Sequence, residues 1–202
     1  GQRNVYIGEE AAKNTHQSRQ VAIGWRALAY TGNSTPGYRG NNHTAIGNNC
    51  MSNLGIYSNY NTAVGDGAMS AATAGFNAAF GQNALASGSG EINTAIGMNS
   101  LDVCNGSWNS ALGYKSGDDC TSGSKNSLIG VYAGEDINGG SHNLCLGAYS
   151  TVSASGASNE CVIGAPAGHA SVISKVRMPG VSVEITPTES VLPAANFNAG
   201  VL

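Results

Sequence analysis

The five residues Asn61-Thr62-Ala63-Val64-Gly65 return as Asn77-Ala78-Ala79-Phe80-Gly81, Asn93-Thr94-Ala95-Ile96-Gly97 and Asn109-Ser110-Ala111-Leu112-Gly113. Outward from these four copies the same glycine continues through Gly130, Gly147 and Gly164, and backwards through Gly47, Gly24 and Gly8. Successive glycines lie 16, 23, 18, 16, 16, 16, 17, 17 and 17 residues apart. A period held this closely marks a repeat architecture.

A large apolar residue precedes every repeat glycine, among them Ile23, Ile46, Val64, Phe80, Ile96, Leu112 and Ile129. One place earlier most copies carry alanine: Ala22, Ala45, Ala63, Ala79, Ala95 and Ala111. A second small–apolar pair follows the glycine, as in Ala68-Met69 and Ala84-Leu85, and then Gly, Ser, Asn and Asp, which form turns. No 3.6-residue apolar stripe survives a period, so helices are excluded. The pattern predicts an all-β chain, a parallel β-solenoid of about ten 16–17-residue coils, each hydrogen-bonded to the next about 4.8 Å away.

Side chains alternate along a strand, so the columns before the glycine fall on opposite faces. The sequence reading puts the large apolar column inside. The alanines Ala45, Ala63, Ala79, Ala95 and Ala111 then face outward, as a subunit contact or as a bland surface. Oligomerisation is a usual remedy for a thin core. Asn4, Asn61, Asn77, Asn93, Asn109, Asn126 and Asn143 form a further column four places before the glycine. Asn tolerates left-handed backbone and bonds to its own turn, so this column reads as a corner device.

Composition narrows the function. Of 202 residues 29 are glycine, 10% are charged, 6% are aromatic, and the formal charge is −3. Gly, Ala, Ser and Asn make up about half the chain, so no thick Leu and Phe core is available. Nine Lys and Arg against twelve acids give no footprint for nucleic acid. No run of eighteen apolar residues exists, so membrane insertion is not expected, and residues 1–20 have no signal-peptide core.

Chemistry is sparse. Asp102, Asp118 and Glu135 each lie five places after their glycines. Stacked, their carboxyls would suit a cation with oxygen ligands, a glycosidase pair at about 5–5.5 Å, or a solvated acidic edge. Cys104 and Cys120 share a column on neighbouring coils, near disulfide range; Cys145 and Cys161 read as small buried hydrophobes. His16, His43, His142 and His169 share no column and read as turn residues. No cofactor motif occurs.

Two features point to contact with a receptor. Tyr60, Phe76, Ile92 and Trp108 stand five places before consecutive glycines, a ladder suited to sugar faces or to a neighbouring subunit. Residues 30–39 are an excursion from the scaffold, with Tyr38 and Arg39 as amphipathic contact candidates.

The motif N-T-A-[IV]-G-x-x-[AS]-[LM] resembles the head repeats of trimeric autotransporter adhesins, and still more the Asn-rich version of bacteriophage tail fibres and tail spikes. The resemblance covers residues 1–168, the repeat shaft or head. It implies a homotrimer of parallel β-rolls in a virion tail, assembled in the host cytoplasm, joined to other tail proteins and attached to a bacterial surface glycan or protein receptor. A polysaccharide-degrading tail spike and a bacterial adhesin head are the alternatives. Two departures stand out: residues 24–47 carry seven extra residues, and Leu128, Cys145 and Val162 replace the small column, where a wider or differently packed trimer contact is expected. Residues 169–202 leave the pattern as a β extension with a turn at Pro179-Gly180. In phage fibres such a segment leads into a cleaved trimerising chaperone domain. An adhesin would pass into a heptad stalk, and no a/d heptads appear, so the phage reading is preferred.

Overall fold

The computed structural model describes residues 3–15, 18–29, 40–54 and 58–164. Just before each repeat glycine stands a three-residue strand: β1 Val5–Ile7, β2 Val21–Ile23, β3 Thr44–Ile46, β4 Thr62–Val64, β6 Ala78–Phe80, β8 Thr94–Ile96, β9 Ser110–Leu112, β10 Ser127–Ile129, β11 Leu144–Leu146 and β12 Cys161–Ile163. These ten form one sheet in chain order, while β5 (Ala71–Ala72) and β7 (Ser87–Gly88) pair on their own. Every pairing is parallel and unshifted, with Ala63 opposite Ala79, Ala79 opposite Ala95 and Ala95 opposite Ala111. The chain is therefore all-β and a parallel β-solenoid. The β extension expected over residues 169–202 lies outside the described residues.

The glycine ends each strand for a steric reason. Gly97 sits at φ 134°, and a Cβ there would lie 2.3 Å from the carbonyl oxygen of Gly113 in the next coil. Only glycine lets the backbones stack so closely while the chain turns. A tight turn follows, closed by Ala84 N–H to Gly81 O at 3.3 Å and repeated from coil to coil.

Counting positions from the repeat glycine, the two faces of the strand are the reverse of the sequence expectation. The alanines at −2 are the interior: Ala45, Ala63, Ala79 and Ala95 are wholly buried, and Ala111 almost so. The large residues at −1 are outside, with Ile96 40% and Leu112 48% exposed. The cause is volume. Leu28, Met51, Met69, Leu85 and Leu101, all at +4, fill the coil from the opposite wall. Facing them, a close-packed interior has room for little more than a methyl group. Ala45, Ala63, Ala79, Ala95 and Ala111 are thus core residues of one chain and cannot serve as its subunit contact. The wider contact expected at Leu128, Cys145 and Val162 fails likewise, since Leu128 and Cys145 are buried and Val162 is half-buried.

The asparagines at −4 form a buried ladder. Asn77 N–H donates to Asn61 Oδ1 at 2.9 Å, Asn93 N–H to Asn77 Oδ1 at 2.8 Å and Asn109 N–H to Asn93 Oδ1 at 2.8 Å. Each side-chain amide then donates to a carbonyl of the following coil, Asn77 to Gly90 O at 3.0 Å and Asn93 to Gly106 O at 2.9 Å. The ladder satisfies backbone groups that the corner would otherwise bury unpaired.

Candidate functional site

With alanine inside, the long sheet presents an apolar outer face. Phe80, Ile96, Leu112, Ile129, Leu146 and Ile163 form its exposed column, and the −3 positions beside them are mostly Thr, Ser or Ala. Single exposed apolar residues are ordinary, but a contiguous column of them is not.

The corner before the strand carries a second feature. All ten residues at −5 are left-handed: Arg3, Arg19, Asn42, Tyr60, Phe76, Ile92, Trp108, Lys125, His142 and Asn159, with φ between 56° and 73°. Tyr60, Phe76 and Trp108 are each more than half exposed, and the Tyr60 and Phe76 rings stack at 5.2 Å. The structure therefore brings these predicted contact residues into one line. Tyr38 and Arg39 lie outside the described residues.

One place earlier, at −6, runs a ladder that sequence reading missed. Ser107 N–H donates to Ser124 Oγ, Ser124 N–H to Ser141 Oγ, both at 3.0 Å, and Ser141 N–H to Ser158 Oγ at 2.9 Å. At the N-terminal end Asn41 and Asn59 take the same place, with Asn41 N–H bonded to Asn59 Oδ1 at 2.9 Å. The −5 side chains thus project from a corner fixed on both sides, except beside Phe76, where Gly75 interrupts the −6 ladder. At that end the corner opens into a cavity of about 460 Å³, lined by Arg3, Arg19, Asn41, Asn42, Asn59 and Tyr60 along with Ser18.

The acids do share an edge. Burial, and then the charge of Asp118, hold the carboxyls of both Asp102 and Glu135 above their ordinary range. Lys115 Nζ lies 3.1 Å from Asp118 Oδ2, and the Lys115 ammonium also stands 5.8 Å from the centre of the Tyr132 ring. Among the described residues no three His, Cys, Asp or Glu side chains are placed to hold a metal ion. Asp102, Asp118 and Glu135 thus share one edge, with Lys115 paired to Asp118.

Four of the five cysteines are buried, all are free thiols, and Cys161 is exposed, contrary to the expectation for it. Cys104 and Cys120 do meet on neighbouring coils as thiols; the hydrogen bond with Cys104, and then burial, push the Cys120 thiol up. His43 is not a turn residue. It occupies the −4 column as a rung of the ladder, where its Nδ1 accepts Asn61 N–H at 3.4 Å. Burial pushes the imidazole down to about 4. Its place four residues before Gly47 was the legible signal.

Fold and site together define a β-solenoid repeat protein whose surface carries two ordered columns, one apolar and one mixed. Among known proteins no family, no curated sequence and no solved structure matches the chain.

Proposed function

We propose that the protein is an attachment element of a virion tail, a homotrimeric fibre or spike of about ten coils that binds a receptor on the bacterial surface. It acts by binding and not by turnover. The observation that carries this reading is the uncovered apolar column of the long sheet. Ten strands at about 4.8 Å make a strip about 43 Å long. Three residues across, it is about 10 Å wide, or about 430 Å² per chain. That is about half of the roughly 800 Å² each partner gives to a stable interface. A thin interior of small residues and about one larger apolar side chain per coil leaves the single chain weakly held, so shared burial of the outer column supplies what the core lacks. The subunit contact is thus the column at −1. The repeat motif, resembling those of phage tail fibres, supplies the setting: assembly in the host cytoplasm beside other tail proteins.

Sedimentation tests it. The wild type is expected as a trimer, and Ile96→Glu with Leu112→Glu as a folded monomer, because charge is brought into a poorly hydrated contact. A monomeric wild type, or a doubly substituted chain that still sediments as a trimer, overturns the reading.

A further inference from the structure

The −5 column is chemically odd for its backbone. A left-handed corner favours Gly or Asn, and other residues there are strained. The chain uses Asn at Asn42 and Asn159 only, and elsewhere sets large side chains, including the β-branched Ile92 at φ 58°. The −4 ladder runs beside the middle of the column, and at −6 side-chain rungs link Ser18 to Asn59 and Glu91 to Ser158, with Gly75 between the two runs. The same backbone carries Lys115 and Tyr132 at +2 and Leu85 and Leu101 at +4, so what distinguishes −5 is the chemistry of its exposed side chains.

The order of residue types is also informative. Arg3 and Arg19 stand at one end, Tyr60, Phe76, Ile92 and Trp108 in the middle, and Lys125 beyond them. Three of the chain's nine Lys and Arg fall in these ten places, and no acid does. Among the described residues the ion pairs leave Arg3 and Arg19 out, and no carboxylate lines the cavity they share with Tyr60. A guanidinium pair with amides around it is suited to forked binding of a carboxylate. Exposed aromatic faces in line with it offer apolar surface to ring-shaped units of a chain molecule.

We propose that this corner column binds an extended acidic polysaccharide, with a uronate-type carboxylate held at Arg3 and Arg19 and successive sugar rings laid along Tyr60, Phe76, Ile92 and Trp108. The proposal rests on the attachment reading and names its receptor class. Single-stranded nucleic acid also combines negative charge with flat rings, but it carries a phosphate at every unit. Here the middle of the column is uncharged and Glu91 flanks Ile92, so a polymer with sparser charge is favoured.

The test uses the full chain and three probes, oligogalacturonate, neutral dextran and oligo-dT, in a solution binding assay at fixed salt. Saturable binding of oligogalacturonate is expected, with dextran at least about tenfold weaker. Arg3→Gln with Arg19→Gln should weaken it about tenfold, and Trp108→Ala several-fold, at unchanged melting temperature. Lys13→Gln, away from the column, should bind as the wild type. No oligogalacturonate binding, equal binding of dextran, tighter binding of oligo-dT, or indifference to the arginine and tryptophan variants overturns the proposal. A chain that sediments as a trimer yet fails here loses this site and keeps the trimer, so the two failures are told apart.

Discussion

The central coils and the coils that follow them solve one packing problem in opposite ways. Around Gly81 and Gly97 the strand supplies alanine, Ala79 and Ala95, and the turn supplies leucine, Leu85 and Leu101. Around Gly130 the strand supplies Leu128, and the turn positions that held leucine become Gly117 and Gly134. The exchange is direct: a Cβ on Gly117 would lie 2.5 Å from one Leu128 methyl, and a Cβ on Gly134 2.6 Å from the other. Ile137 then replaces the buried cysteine seen at Cys104 and Cys120. What stays constant along the solenoid is the filled volume of the coil, not the identity of any column. On the other side of the centre the departure is polar: His43 stands where Asn61, Asn77 and Asn93 form the ladder.

The largest effect is expected from Leu128→Ala, which empties the strand side of a coil whose turn side is already glycine. It should cost about 2–5 kcal/mol in a denaturant titration. Gly134→Leu alone is also destabilising, since Leu128 occupies the space. Combined, the two rebuild the central arrangement, and the double variant should be more stable than the sum of the single losses predicts. Strict additivity would break the exchange of volume.

The histidine rung should be read by pH. The folded imidazole sits at about 4 against 6.5 for an ordinary histidine. Between those values the unfolded chain binds the extra proton. Stability is therefore complete above pH 6.5 and falls as pH drops toward 4, by about 3 kcal/mol in full. His43→Asn restores the residue of the central ladder and should flatten that part of the profile. A profile unchanged by the substitution would remove His43 from the ladder's energetics.

The smallest effect is expected at the left-handed corner. Ile92→Asn should raise stability by about 1 kcal/mol, because Asn tolerates φ near 58° and a β-branched side chain does not. The same variant should weaken oligogalacturonate binding. Gain in one and loss in the other is the signature of strain kept for a ligand.

Much of this was legible in residues 61–113. The period, the glycine at each strand end and the absence of a helical stripe determined an all-β solenoid with stacked, in-register coils. The Asn column was recognisable as a corner device, and the aromatic line at −5 as an exposed contact candidate. The face assignment was not obtained, and the constancy of the columns does not supply it. Across the ten repeats −1 is Ile as often as −2 is Ala, six times each.

What the sequence determined by itself was periodicity, because alternation and glycine sterics act within a few residues. What the tertiary structure alone decided was which side of each strand is inside. Hydrophobicity ranks isoleucine above alanine for burial, but the choice belongs to the residue that fits opposite Leu85 and Leu101. That is a property of two walls brought together across a coil, and the shared volume between them favours the methyl group.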